Sequence, residues 1–432
     1  MEYLLHYTWK HRLFPLKELV TTDGQLVEVI DPGLHNTDAG PDFFNAKMKI
    51  GGTLWVGNVE IHTRANDWYT HGHQGNKAYD NVVLHVVEAD AIDGKPVTDT
   101  NGRLIPTLVL PVPPRVRDNY DKLMRTEEYP RCHHIIPTLP RLTVHSFLSA
   151  LHTERLTHKA ERIGQYRLKN ELNWENAFFI TLARNFGFGV NGEAFEEWAS
   201  HIPLRAVNKH RDDLTRIEAF FFGQAGLLTN ETATEDDEYL RRLQREYAFL
   251  ANKFELKAMD PVRWRFLRMR PTNFPHVRLA QLARLYYEGE GLLSRLLEAS
   301  SVEAVTKLFA TSTSEYWQTH YTFGHPSPRR TKQLSQTTRM LLIINTISPF
   351  LYAYGQHQGN EALCQRAFSF LEELKAEDNR IIRIWRECGL KVDSAADSQA
   401  LIQLKREYCD MKKCLHCRFG YEYLKKNNKL TS

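Results

Sequence analysis

The chain reads as an α+β protein, a mixed β-sheet core followed by a large all-helical region, and three observations predict this. Short β-branched and aromatic runs, punctuated by Gly, Pro and Asn, fill roughly the first 130 residues. Beyond residue 138 apolar residues recur mostly at helical spacing. Between the two patterns Pro111, Pro113 and Pro114 suit neither, and they mark a linker. At 432 residues the chain exceeds one ordinary hydrophobic core. The expected division is an α+β domain over 1–130 and a helical domain over 131–432.

Taken in order, a helix is expected over 2–14, then strands over 25–30, 43–50, 54–62, 81–87 and 107–111, with a short helix over 76–79. Gly51-Gly52 separates FFNAKMKI from LWVGNVEIH, so these two runs form a hairpin. Residues 81–87 are apolar except for Asn81 and His85, which suits a strand covered on both faces. In the helical part, Phe147, Leu148, Leu151, Leu156 and Ile163 recur at near-helical intervals, and 174–186, 194–201, 213–228 and 235–256 continue in kind. No repeat of fixed period is evident.

Composition sets outer limits. The apolar share of 42% and charged share of 25% are ordinary for a globular protein, and the net charge of +4 forces no nucleic-acid partner on its own. The N-terminus carries Glu2 and no long apolar run, unlike a secretory signal. The most apolar stretch, 340–354, contains Asn345, Ser348 and Pro349 and falls short of the roughly 20 residues a bilayer crossing needs. It is expected to be a buried helix, with no membrane partner and a cytoplasmic location.

The hairpin carries the chemistry. Asp42 enters its first strand and Glu60 leaves its second, which sets the two acids side by side. Strand side chains alternate faces, so Glu60 and His62 share one face while Val59 and Ile61 fill the other. Two carboxylates and an imidazole at one point are what a hydrolytic divalent-metal site requires. Around them lies a dense run of polar residues, including Asn36, Asp38, Asp67, His71, His73, Tyr79, Asp80 and His85, and the turn-rich approach 30–41 reads as a site loop.

Pro41-Asp42 and Glu60-Ile61-His62 resemble the paired motifs of the PD-(D/E)xK phosphodiesterase superfamily, with His62 standing where that superfamily usually has lysine. The resemblance implies a restriction-endonuclease-like sheet. It also implies Asp42 and Glu60 as carboxylate ligands of Mg²⁺ or Mn²⁺, and His62 as a base or third ligand. Asn36, Asp38, Asp67, His71 and His73 would then position substrate. Five further strings resemble an uncharacterised bacterial family, domain of unknown function 2851: LHYTWK at 5–10, NTDAGPDF at 36–43, GNVEIH at 57–62, RMRPTNFP at 268–275 and the stretch 409–420. That family's name supplies no activity.

Two features lie outside the hairpin. Six arginines, Arg263, Arg265, Arg268, Arg270, Arg278 and Arg284, are interleaved with Trp264, Phe266 and Phe274, and no acid falls among them. Guanidinium groups grip phosphates and aromatic rings stack on bases, so this is a candidate nucleic-acid surface with Arg268 and Arg270 at its loop. The alternative is that the rings are core and the arginines pair with acids. Near the C-terminus Cys409, Cys414 and Cys417 place three of the six cysteines within nine residues. That spacing suits Zn²⁺ or an iron–sulfur cluster, with Cys132 or Cys388 as the fourth ligand.

Three functional classes follow. The first is a metal-dependent nuclease acting on DNA or RNA. The second is a non-catalytic nucleic-acid or protein-binding module with a degenerate nuclease-like core. The third is a metal enzyme on a small substrate, using Glu60, His62 and His73.

Overall fold

The computed structural model describes residues 2–14, 19–88, 96–229 and 237–426. Internal packing divides the chain into two compact units, residues 1–140 with 406–432, and residues 141–405. The change of pattern placed one boundary near residue 130; the packing puts it ten residues later and returns the chain's end to the first unit. The fold is α+β, with a mixed sheet in the first unit and a helical second unit.

The first unit opens with helix Glu2–Lys10, which buries Leu4, Leu5, Tyr7, Thr8 and Trp9. It stops four residues short of the expected end because Arg12 adopts φ +48°, and the Leu13 N–H turns back to the Thr8 carbonyl at 3.0 Å. Among the described residues nine strands follow: β1 (Leu19–Val20), β2 (Leu26–Asp31), β3 (Leu34–His35), β4 (Phe43–Ile50), β5 (Thr53–His62), β6 (Val82–Val87), β7 (Val97–Thr98), β8 (Leu104–Ile105) and β9 (Thr107–Val109).

Seven of the strands make one sheet in the order β1-β2-β4-β5-β6-β9, with β3 paired to β4, while β7 and β8 pair separately. The β1-β2, β2-β4 and β4-β5 pairs are antiparallel, and β5-β6 and β6-β9 are parallel. A bridge from Thr21 to Leu108 draws the two edges together, so the sheet is nearly closed on itself. The expected hairpin is β4-β5, and Gly51 and Gly52 take the positive φ values, +56° and +87°, that its turn demands. Strand β6 is buried at every position, as its apolar run requires.

The C-terminal helix Arg418–Lys425 belongs to this unit. Asn119 Nδ2, on helix Pro114–Arg125, donates to the carbonyls of Leu424 and Lys426 at 3.2 and 3.1 Å.

The second unit is built from helices, including Arg141–Lys169, Trp174–Phe186, Leu214–Gln224, Glu238–Phe254 and Pro275–Glu288. Phe179, Trp198, Phe220, Phe221, Phe222 and Trp317 lie in its continuous core. The apolar stretch at 340–354 runs through a π-helical turn, Ile343–Ile347, into helix Ser348–Gln358, and is largely buried. Among the described residues no helix is long and apolar enough to cross a membrane.

Candidate functional site

Three local devices aim the side chains of the first unit inward. The β4-β5 pair carries a one-residue bulge: Phe43 faces Val59 but Ala46 faces Gly57, with Asn45 at φ +56° and its N–H held by Asn58 Oδ1 at 3.3 Å. Such a bulge twists the strand entry and re-aims the residue before it, here Asp42. The loop before Asp42 is fixed by Asn36, whose Nδ2 donates to the carbonyls of Asp38 and Pro41 at 3.0 and 3.1 Å and whose Oδ1 accepts the Asp38 N–H at 2.9 Å. Finally, parallel pairing sets Glu60 beside His85.

Asp42 and Glu60 interlock. Glu60 Oε2 accepts the Asp42 N–H at 3.1 Å, and Asp42 Oδ2 accepts the Ile61 N–H at 2.9 Å. Asp42 Oδ2 also lies 3.4 Å from His6 Nε2. Burial and the neighbouring Glu60 charge push the Asp42 carboxyl up to about 7.

Glu60 Oε1 faces the histidines, with His73 Nε2 at 3.1 Å and His62 Nε2 at 3.5 Å. His62 Nε2 is 3.2 Å from His71 Nδ1, and His62 Nδ1 is 2.9 Å from His85 Nε2. Tyr79 stacks on His73 with ring centroids 3.8 Å apart. Glu60, His62, His73 and His85 are buried, while His71 is exposed and Asp42 is partly so, which places the cluster's access to solvent at those two side chains. Burial, followed by the surrounding imidazoles, pushes His62 down to about 2, and burial pushes His85 down to about 3, so both rings are neutral at ordinary pH.

The donor set fits a single ion. Ligand atoms of His62, His71 and His73 lie within 4.8 Å of one another. Zinc–nitrogen bonds near 2.0–2.1 Å put ligand atoms about 3.3 Å apart, and His62 Nε2 lies 3.2 Å from His71 Nδ1, with Glu60 Oε1 3.5 Å from His62 and 3.1 Å from His73. His73 Nε2 and His6 Nε2 lie within ion-pair reach of the Glu60 and Asp42 carboxylates without hydrogen-bond geometry, and buried His85 Nδ1 has no hydrogen-bond partner among the described residues. With its proton on Nδ1, His62 would donate to His85 and turn its Nε2 lone pair toward Glu60 and His71, the arrangement a ligating histidine adopts.

The structure therefore brings Asp42, Glu60, His62, His71 and His73 together. Asn36 serves the loop instead. Asp38 is exposed on that loop, and Asp67 Oδ2 accepts from Thr63 Oγ1 and the Arg64 N–H, capping its own turn. His6 was missed by the sequence reading; its only signal is a lone imidazole on the buried face of an amphipathic helix.

The arginine segment resolves residue by residue. Trp264 is core, and its indole N–H donates to the Ala225 carbonyl at 2.8 Å. Arg263 pairs with Glu197, Arg284 with Glu288, and buried Arg278 bonds Asn273 and Gln281 beneath the Phe188 ring. Arg265, Arg268 and Arg270 are exposed, with Arg268 at φ +61°.

Cys132, Cys409, Cys414 and Cys417 line one cavity of about 240 Å³ in the first unit. Of the two candidates for a fourth wall thiol, Cys132 supplies it and Cys388 does not line the cavity. Burial pushes the Cys409 and Cys417 thiols up, to about 12 and about 11.

Fold and site thus define an α+β protein with a nearly closed mixed sheet and a buried histidine–carboxylate centre. Residues 2–380 match the family model described as "Protein of unknown function (DUF2851)", and the chain belongs to that family. The matched residues end before Cys409–Gly420. No curated protein and no solved structure matches the chain.

Proposed function

We propose that the first unit is a metal-dependent hydrolase of the phosphodiesterase class, acting on DNA or RNA. The single observation that carries this reading is the group of ring nitrogens of His62, His71 and His73 within 4.8 Å of one another, with Glu60 Oε1 3.1 Å from His73 and 3.5 Å from His62. Three imidazoles and one carboxylate favour Zn²⁺, Mn²⁺, Fe²⁺ or Ni²⁺ over Mg²⁺, which prefers oxygen ligands and bound waters. This moves the expected metal away from the Mg²⁺ of the nuclease resemblance, and it moves His71 and His73 from substrate positioning to the ion.

A divalent ion held by the ring nitrogens of His62, His71 and His73 would keep a position open for a water, whose pKa it would lower, or for a phosphoryl oxygen that it would polarise. The protein's own residues do the rest. Glu60 sets one carboxylate oxygen beside His62 and His73, and its second oxygen is fixed by the Asp42 N–H. His85 orients His62 from behind. Asp42, steadied by the Ile61 N–H and facing His6, is the carboxylate placed to hold a proton beside the ion. The phosphodiester substrate rests on the Pro41-Asp42 and Glu60-Ile61-His62 resemblance and on the exposed Arg265, Arg268 and Arg270.

Burial of Glu60 and His62, at 5% and 2% exposure, favours a second reading, a metal enzyme on a small substrate that reaches the ion past His71. The test is metal analysis of the purified chain, followed by cleavage assays on single- and double-stranded DNA and RNA with Mn²⁺, Zn²⁺, Ni²⁺ and Mg²⁺ in turn. Cleavage with a transition ion that is abolished in Glu60→Gln supports the nuclease reading. A tightly bound ion with no cleavage of any strand moves the weight to a small substrate. Absence of any bound ion returns the weight to a non-catalytic binding module.

A further inference from the structure

The second cluster of ligand-type side chains is independent of the histidine centre and of its proposed chemistry. We infer that Cys132, Cys409, Cys414 and Cys417 ligate a four-iron iron–sulfur cluster, one thiolate to each iron, in the cavity that they line.

Three features of the site lead there. The four sulphurs come from two distant parts of the chain, yet they face one cavity of about 240 Å³. A single water needs only about 10–15 Å³ measured in this way, so the space is large enough for a polyatomic occupant.

Spacing then separates one ion from a cluster. Zinc–sulfur bonds of about 2.3 Å hold four thiolates about 3.8 Å apart around a single ion. Among the described residues no three cysteine sulphurs lie within 4.8 Å of one another, although three histidines do. In a cluster each thiolate binds its own iron, so the sulphurs are spread by a metal–metal edge in addition to the two iron–sulfur bonds. The four cavity-lining sulphurs, no three of which meet the single-ion limit, are compatible with that wider spacing.

The backbone is also arranged for thiolates. Cys417 is the N-cap of helix Arg418–Lys425, and the N–H groups of Phe419 and Gly420 are directed at its sulphur. Hydrogen bonds of this kind to cluster-ligating sulphurs tune their charge. Gly420 is required there: a β-carbon at that position would lie 2.0 Å from the Cys414 carbonyl oxygen. Arg131, Lys412 and Lys413 on the wall offer countercharge.

Taking up a preformed cluster would replace four S–H bonds by four S–Fe bonds and release four protons, with no change of oxidation state. The result would tie the chain's end, from Cys409 to helix Arg418–Lys425, to the segment carrying Cys132. The role is a clamp on the first unit, with no step in hydrolysis.

The full chain purified without oxygen tests this. The expected result is a brown protein with broad visible absorption and about four iron and four acid-labile sulfide per chain. Cys132→Ser should lose most of the iron, and Cys388→Ser should keep it. A colourless chain carrying about one zinc, or iron that persists undiminished in Cys132→Ser, overturns the assignment.

Should Cys132→Ser fail to fold, thiol alkylation of the wild-type chain read by mass spectrometry decides. These four cysteines should resist labelling while Cys388 reacts, and stripping the iron with a chelator should expose them. Equal labelling before and after chelation overturns the cluster. Because hydrolysis plays no part in these readouts, their failure leaves the histidine centre standing, and the reverse also holds.

Discussion

The two units differ in how they gather buried charge. In the second unit Glu218, Lys332 and Arg278 each find partners in the architecture, although His152 Nε2, His276 Nδ1 and Arg278 Nε have none among the described residues. Glu218 accepts from Ser314 Oγ and Tyr239 OH at 2.8 Å each, and Lys332 Nζ donates to the carbonyls of Trp317 and His320. Arg278 is bonded on two sides. In the first unit, by contrast, the ring nitrogens of three histidines lie within 4.8 Å of one another with Glu60 Oε1 against two of them, and His85 Nδ1 has no hydrogen bond among the described residues. An unsatisfied buried polar atom costs about 1–3 kcal/mol. Partnered charge is explained by packing alone, whereas convergent ligand atoms are the arrangement an ion would complete.

The largest expected effect tests the convergent side. His73→Ala and Glu60→Gln should each weaken binding of a divalent transition ion on the order of 100-fold or more, read by calorimetry on metal-stripped protein. The stripped wild-type chain should also melt higher when the ion is returned, because the ion binds only the folded state. Unchanged affinity in both variants would make the cluster ordinary core.

Next comes the partnered side. Burial raises the Glu218 carboxyl to about 7 from an ordinary 4.5. The folded state therefore holds this proton more tightly than the unfolded chain. The contribution is fully present below pH 4.5, fades as pH rises, and is gone above about 7. The swing is on the order of 3 kcal/mol for this fully buried group. Relative to the wild type, Glu218→Gln should gain stability between those pH values, as followed by urea unfolding across the range. A difference between the two chains that does not vary with pH would mean that Ser314 and Tyr239 fully compensate the ionised form.

Asn36→Ala is smaller. Loss of its side-chain bonds to the 38–41 loop should cost about 1–2 kcal/mol, and Asp42 should lose its fixed position. The expected readout is a fall in kcat for any activity the centre has, with divalent-ion affinity nearly unchanged. An equal loss of ion affinity would instead put the loop in the ion's own shell.

How much of this was legible follows the same division. The β4-β5 hairpin was readable because Gly51-Gly52 and the β-branched runs are local signals, and the shared face of Glu60 and His62 follows from strand periodicity alone. The convergence of His71 and His73 was not, since they sit on a turn and a short 3₁₀ segment whose direction no periodicity fixes. His6 was hidden because a histidine on an apolar helix face ordinarily reads as core. The near-closure of the sheet depends on one bridge between Thr21 and Leu108, a long-range pairing with no local signature. Cys132 was nameable as a fourth ligand, but its choice over Cys388 required the return of the chain's end to the first unit.

The smallest effect concerns the arginine segment, where both behaviours occur within a few residues. Arg263 is neutralised by Glu197 and Arg278 is buried, so neither is available to a phosphate. Exposed Arg268 and Arg270 flank Met269 in the loop before Pro271. Replacing both with alanine should change stability by less than about 0.5 kcal/mol, because neither is packed. If the loop touches a nucleic-acid backbone, the same double variant should lower the slope of log affinity against log salt by about two, one for each phosphate that is no longer neutralised. Arg263→Ala should leave that slope alone, since its charge is already spent on Glu197. An unaltered slope in the double variant would remove this segment from any phosphate surface, and the nucleic-acid reading would then rest on the hairpin residues alone.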